Sequence, residues 1–159
     1  MIDLSARVVI DGACDAPALV TREPINFTAA LCKLPNLWPS KRGESQDEHH
    51  ELFGQNFAGK ALVFPSCIGS TYTGLVLLEL VRSERGPAAL VVQKADPLLV
   101  SGVILSEVWY GKSIPILEHP GGDLFDAIHT GEQVRIEPGG DKISVERIAP
   151  VPGGLCGRS

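Results

Sequence analysis

The sequence predicts an α/β domain built on a partly parallel sheet. Two apolar runs, 61–64 and 88–92, show no polar alternation, as expected of strands buried on both faces. A helical pattern over 72–83 lies between them, and this strand–helix–strand order predicts a parallel pair joined by a right-handed crossover. A third apolar run, 114–117, is the next predicted parallel strand. Together these observations define the fold class.

The N-terminal part is predicted to contain two more strands, at 5–10 and 16–21. Residues 26–57 keep no regular period, which indicates a long loop with room for one short helix. His49 and His50 lie in that loop. Two interpretations of them stay open: polar loop side chains, or a role toward a ligand or substrate.

A second helix is predicted to begin after Asp96, a good N-cap, with Pro97 in the first helical position and an end at Gly111. Its predicted packing face is Leu98, Leu99, Ile104, Leu105 and Val108. The remaining predicted elements are a short helix at 123–129, strands at 133–137 and 142–148, and a hairpin turn at 138–141.

Length and composition set limits on the class of protein. A chain of 159 residues is enough for one well-cored domain and short for two, so we expect a single domain over 1–150 and a flexible Gly- and Pro-rich tail over 151–159. The net charge of −5 and the lack of a basic cluster argue against nucleic acid or an anionic membrane as a partner. No signal-peptide pattern opens the chain, so a cytoplasmic location is expected.

Four scattered cysteines form no Cys-x-x-Cys pair, and we expect free thiols and no metal site built from this chain alone. They are Cys14, Cys32, Cys67 and Cys156. His119 and His129 have no partner that spacing selects, so no Ser/His/Asp triad is indicated. Arg22, after an apolar strand, is either a bidentate clamp for a carboxylate or part of a surface salt bridge.

The turn from Pro65 to Gly74 contains the candidate site. It places Gly69, Ser70 and Thr71 just before a helix, where free N–H groups and the helix dipole favour an anion. A phosphate loop and a dinucleotide fingerprint are both absent from the sequence. From the residues alone, two interpretations are open: a capping hydroxyl with a glycine that permits a tight turn, or a hydroxyl that faces a ligand.

Residues 5–148 resemble the small subunit, or swivelling domain, of the aconitase X family. The matching segments are 18–27, 49–50, 59–63, 65–66, 69–70, 76–80, 87–91 and 96–99, with Gly54, Gly102 and Pro115. The resemblance implies an aconitase-like swivelling β/β/α fold. It also implies a large partner subunit that holds an iron–sulfur cluster through its own cysteines.

Family members are hydro-lyases that dehydrate small hydroxy acids: cis-3-hydroxy-L-proline in bacteria and mevalonate 5-phosphate in archaea. The acidic charge and residues 22–24 look more like the bacterial branch. The resemblance implies that Ser70 is the base that removes a proton. Contacts to the substrate are assigned to Gly69, Thr71 and Arg22.

The turn departs from the family pattern, in which an arginine and a glycine precede the serine. Ile68 stands in place of that arginine, and residues 72–74 differ from the usual Thr-Gly-Ser. A different hydroxy acid is therefore one expectation. A rival function is a binding module that holds a small carboxylate without catalysis.

Overall fold

Four parallel strands form the middle of a mixed sheet in the computed structural model, which describes residues 1–32 and 43–147. The strands are β1 (Ile2–Ser5), β2 (Arg7–Ile10), β3 (Cys14–Val20), β4 (Ala61–Phe64), β5 (Ala89–Val92), β6 (Ile116–Glu118), β7 (Gln133–Ile136) and β8 (Lys142–Glu146). The helices are α1 (Phe27–Leu31), α2 (Thr73–Arg82), α3 (Pro97–Tyr110) and α4 (Leu124–Ala127). The sheet order is β1-β8-β7-β3-β4-β5-β6-β2.

The parallel centre consists of β3, β4, β5 and β6, and it confirms the predicted core. Every residue of β4 and β5 is fully buried, because helices cover one face of these strands and the antiparallel strands cover the other. Strand β3 makes this possible: Cys14–Pro17 pair with β7, whereas Ala18–Val20 pair with β4. The result is a β/β/α arrangement, as predicted.

The predicted strand at 5–10 is wrong in one respect, since two strands occupy this part of the chain. Strand β1 pairs with β8 at one end of the sheet order, and β2 pairs with β6 at the other. Ala6, between them, donates its N–H to the carbonyl of Asp141. The two partners, β8 and β6, come from distant parts of the chain, so the local sequence pattern does not reveal the change of partner.

The predicted packing face of α3 is only partly right, because Leu99 is fully buried whereas three other predicted residues are exposed. Leu98, Ile104 and Val108 are 41%, 47% and 71% exposed, while the fully buried positions are Leu99, Gly102, Val103 and Ser106. The cause is a backbone contact between two helices: a Cβ on Gly102 would lie 2.2 Å from the carbonyl oxygen of Gly74 in α2. This close approach turns the glycine side of α3 inward and several of its large apolar residues outward.

Other predictions are confirmed. Asp96 accepts the N–H groups of Leu98 and Leu99, Pro97 is the first helical residue, and Gly111 ends α3 with φ at +66°. Strands β7 and β8 form the predicted hairpin.

The short helix expected within 26–57 is α1, whereas residues 33–42, Ile148 and the predicted tail lie outside the described part. No helix in 1–32 or 43–147 has the length and apolarity to cross a membrane.

Candidate functional site

Two loops run side by side where the parallel strands end. The connection from β3 to α1 meets the connection from β4 to α2 through a bridge between Ile25 and Cys67. The N–H of Ile25 donates to the carbonyl of Ser66 (3.1 Å), and that of Ile68 donates to the carbonyl of Ile25 (3.0 Å). Ligands of open α/β sheets bind at the carboxyl ends of the strands, so this edge is the natural place for a site.

Ser70 is half-buried at this edge, and it lies two residues before the N-cap residue of α2. Its Oγ accepts the backbone N–H of Tyr72 at 3.0 Å, and its carbonyl accepts the hydroxyl of Thr73 at 2.9 Å. Tyr72, not Ser70 or Thr71, is the N-cap of α2, without a capping bond from its side chain. The bond from the N–H of Tyr72 to the Oγ of Ser70 is of the kind that a capping hydroxyl makes, so the structure supports a local role for Ser70 in this turn and does not exclude a role toward a ligand. Thr71 is exposed next to it in the chain.

Gly69 has a backbone that only glycine adopts easily, with φ at +92°. A Cβ at this position would lie 2.5 Å from Nδ2 of Asn26. Asn26 in turn caps α1, since its Oδ1 accepts the N–H groups of Thr28 (3.2 Å) and Ala29 (3.1 Å). One asparagine side chain thus fixes the start of α1 and packs against the turn that carries Ser70.

Sequence reasoning missed Asn26 as a site residue. A signal was present, because asparagine before the run 27–31 is typical of a helix N-cap. Its contact with Gly69, 43 positions along the chain, depends on the parallel pairing of β3 with β4 and could not be read from local sequence.

Arg22 follows β3 at the same edge of the sheet but is bonded to α4. Its Nη2 lies 2.7 Å from Oδ1 of Asp126, and both side chains are at least two-thirds exposed. The guanidinium also lies 5.7 Å from the ring centre of Phe125. The surface salt bridge is what the structure shows, and a substrate contact by Arg22 stays a prediction.

The loop containing residues 43–57 is hydrogen-bonded to the end of β3 through two carboxylates. The carboxylate of Glu51 accepts the hydroxyl of buried Thr21 and the N–H of Arg22. In return, the carboxylate of Glu23 accepts the N–H of Glu51 at 3.0 Å. We call this reciprocal arrangement of Thr21, Glu23 and Glu51 the carboxylate clasp.

The two histidines of this loop have different surroundings. His49 is exposed, whereas the side chain of His50 is only 9% exposed. Nδ1 of His50 accepts the N–H of Leu52, so its Nε2 carries the proton. Among the residues that the structure describes, Nε2 has no hydrogen-bond partner, and it lies 3.9 Å from Oε2 of Glu23. His50 therefore belongs to the surroundings of the clasp.

His119 and His129 have carboxylate partners that spacing did not select. Nε2 of His119 lies 3.0 Å from Oδ1 of Asp123, and its Nδ1 lies 2.7 Å from the carbonyl of Ser5. Burial lowers the pKa of His119, but the hydrogen bonds to these two acceptors outweigh it, so the pKa is raised overall. Nδ1 of His129 lies 3.5 Å from Glu132. No bond between either histidine and Ser70 is present in the described residues.

Three cysteines fall in the described part, and all are free thiols. Burial, followed by the charge of Asp96, raises the pKa of Cys67 to about 12, and burial raises that of Cys14 to about 11. Within residues 1–32 and 43–147 no three His, Cys, Asp or Glu side chains converge as metal ligands. These residues do not fit an iron–sulfur cluster, which needs several converging thiolates.

The β/β/α arrangement with a serine-bearing turn at the carboxyl ends of its parallel strands defines a swivel-type α/β domain. The aconitase X swivel domain model matches residues 3–145, and the chain belongs to that family. The fold also matches the crystal structure of Thermococcus kodakaraensis aconitase X, with a TM-score of 0.76 and 24% identity over 92% of this chain and 100% of that one. The predicted fold and family are both confirmed.

Two kinds of dehydratase are among the relatives. The phosphomevalonate dehydratase small subunit of Methanopyrus kandleri is 33% identical, over 84% of this chain and 89% of that one. The cis-3-hydroxy-L-proline dehydratase of Pseudomonas aeruginosa is 34% identical, over 92% of this chain but 23% of that one. Both of these relatives are dehydratases; the first matches this chain along most of its own length, whereas the second matches it through less than a quarter of its length.

Proposed function

We propose that the chain is the small subunit of an aconitase X-type dehydratase and that Ser70 is its proton-abstracting base. The observation that carries the proposal is the position of the Ser70 hydroxyl. It lies half-buried at the carboxyl edge of the parallel strands and accepts the N–H of Tyr72 just before α2. The dehydratase relatives support the same class of reaction.

A serine hydroxyl is a weak base at its ordinary pKa, so it must act as an alkoxide held by donors. The N–H of Tyr72 points at Oγ, and the positive end of the α2 dipole adds to its effect. The alkoxide of Ser70 takes the proton from the carbon next to the substrate carboxylate. The electron pair of that C–H bond forms the double bond, and the hydroxyl of the neighbouring carbon departs with the electron pair of its C–O bond. The proton that Ser70 took up balances the departing hydroxide, so one water is lost and the alkoxide is restored.

The neighbours of Ser70 support substrate binding in this proposal. Gly69 lets the chain pass Asn26 closely, and Thr71, next to Ser70 in the chain, is exposed and carries a second hydroxyl. Arg22 would bind a carboxylate if its exposed pair with Asp126 opened, which costs little because exposed ion pairs are weak.

The catalytic site is completed by a large partner subunit in this proposal. The iron–sulfur cluster is assigned to that partner, because the described cysteines of this chain do not converge. In the Pseudomonas relative the matching region is 23% of the chain, so most of that protein lies outside it. The net charge of −5 supports neither nucleic acid nor an anionic membrane as a partner.

We propose cis-3-hydroxy-L-proline as the first substrate to test. The turn from 65 to 76 contains no basic residue, and Ile68, where an arginine is expected, is 51% exposed. A phosphate is best held by several charged donors, whereas this amino acid carries one carboxylate. Mevalonate 5-phosphate is the alternative, which the small-subunit relatives favour.

The test is co-expression with the large-chain gene, followed by dehydration assays on both substrates. We expect Ser70→Ala to assemble normally and to lose turnover by roughly 10²–10⁴-fold, as for loss of a general base. Ser66→Ala, in the same turn, is the matched control and should stay active. Near-native turnover by Ser70→Ala would contradict the proposal. A stable monomer that binds small carboxylates, but shows no dehydration with any partner, would support the binding module.

A further inference from the structure

We infer that one exposed apolar surface of this chain is where the large catalytic subunit docks, an inference that rests on the proposed function. The surface begins beside Ser70 and continues along the outer side of α3. We define it as the docking face, made of Ile68, Tyr72, Leu75, Leu98, Ile104 and Val108.

The composition of α3 is the first observation. Its fourteen residues include one charged side chain, Glu107, and its inner side already packs on the domain through Leu99 and Val103. Ile104 and Val108 nevertheless point outward, at 47% and 71% exposure. A helix that is apolar all round is ordinarily buried all round, so the outer side of α3 lacks its covering layer.

The distribution of exposed apolar residues is the second observation. Among the described residues, the large apolar side chains that are exposed outside this region are scattered singly: Met1, Val8 and Phe53. All the others fall within 68–75 and 98–110. Single exposed apolar residues are normal, whereas a concentration of them in two segments that approach each other at Gly74 and Leu98 is typical of an interaction site. The core of a protein interface is also poor in charged residues, as α3 is.

Continuity with Ser70 identifies the occupant. A Cβ on Gly74 would lie 2.8 Å from the carbonyl oxygen of Leu98, so the first turns of α2 and α3 are in contact. Leu75 and Leu98 are therefore at the same end of the helix layer as the turn with Ser70. A subunit that brings a substrate to Ser70 must cover this end, and the face continues from there along α3. A second copy on the same face would obstruct Ser70 instead.

The experiment places a charge at the far end of the docking face, away from Ser70. Val108→Glu and, separately, Ile104→Glu are co-expressed with a tagged large subunit, and the retained small subunit is measured. We expect at least about tenfold weaker association, since an unpaired charge buried in an interface costs more than 1.4 kcal/mol. Both positions are exposed, so the melting temperature of the isolated chain should not change. Val8→Glu, on an edge strand, is the matched control and should associate normally.

The outcomes separate this inference from the proposed function. Full association and turnover of both α3 variants, with Ser70→Ala inactive, would overturn the docking face and leave the function standing. A homodimer of the isolated chain that Val108→Glu converts to monomer, with unchanged association to the large subunit, would assign the face to a second copy and also overturn it. If wild type neither associates nor dehydrates, the proposed function fails first. Loss of association in the α3 variants alone supports the docking face.

Discussion

The side-chain amide of Asn26 lies against the α-carbon of Gly69, one residue before Ser70. The same side chain caps α1 through its Oδ1. The position of the Ser70 turn is therefore coupled to the start of a helix that comes from a different part of the chain. This coupling gives a way to perturb Ser70 without touching it.

The first prediction concerns Asn26. Asn26→Ala removes both the cap and the amide, and we expect a loss of about 1 kcal/mol in the free energy of unfolding together with a reduced kcat. Asn26→Ser keeps a capping oxygen and loses the amide, so it should stay stable but show the same reduction in kcat. Urea unfolding and steady-state kinetics of the assembled enzyme measure the two effects. If the serine variant has wild-type kcat, the amide does not position Ser70.

The second prediction concerns Gly69. Gly69→Ala places a methyl group on the amide of Asn26 at a positive φ, and we expect a loss of roughly 1–3 kcal/mol in the free energy of unfolding. The double variant with Asn26→Ser removes the clash but keeps the backbone strain, so it should recover part of the loss. Gly139→Ala is the control: its φ is +72° with open space around it, so only strain should appear. Equal losses for the two single variants would show that the asparagine contact is unimportant.

Much of the fold was predictable because its signals are local. Fully apolar strands such as 61–64 and the caps at Asp96 and Gly111 depend on residues next to one another. The separation of 5–10 into two strands was not predictable, because β1 pairs with β8 and β2 pairs with β6, and both partners lie far along the chain. Only Leu99 of the inner side of α3 was predicted, because a contact through Gly102, not the largest apolar residues, decides which side faces inward.

The candidate site divides in the same way. Ser70 could be selected from its place before a predicted helix and from the family resemblance. The contacts of Asn26, Glu51 and His50 could not be predicted from the sequence, since they arise where loops meet at the end of the sheet. In the clasp, Glu51 accepts bonds from the end of β3 and Glu23 accepts one from the loop. These pairings depend on the tertiary structure and cannot be derived from the local sequence.

The third prediction concerns the carboxylate clasp. Glu51→Ala removes the acceptor for the hydroxyl of buried Thr21 and for the N–H of Arg22, and we expect a loss of about 1–2 kcal/mol in the free energy of unfolding. The larger effect should be local: amides in 43–57 should exchange faster by hydrogen–deuterium exchange, while those of β4 and β5 do not change. Glu48→Ala, at an exposed position in the same loop, is the control. Unchanged exchange in Glu51→Ala would show that the clasp does not hold the loop.

The fourth prediction concerns the pH dependence of stability through His119 and Asp123. The pKa of His119 is raised in the folded chain, so its contribution is complete below its unfolded pKa of about 6.5 and is lost as pH rises through the folded value. The hydrogen bond from His119 lowers the pKa of Asp123, whose contribution is present above its unfolded pKa of about 3.9 and is lost as pH falls through the folded value. The pair therefore stabilises the chain most between about pH 4 and about pH 6.5.

Asp123→Asn keeps a hydrogen-bonding side chain but removes the charge that favours the imidazolium. We expect the difference in unfolding free energy between wild type and Asp123→Asn to be larger at mildly acidic pH than at pH values above the folded pKa of His119, as measured by urea titrations across that range. His129→Gln is the control, because His129 is 57% exposed and its partner Glu132 is 3.5 Å away. A difference that does not vary with pH, or one that grows as pH rises, would show that the charged pair is not what stabilises this corner. A Cβ on Gly121 would lie 2.1 Å from Oδ1 of Asp123, so the hydrogen bond between His119 and Asp123 requires a glycine at this position.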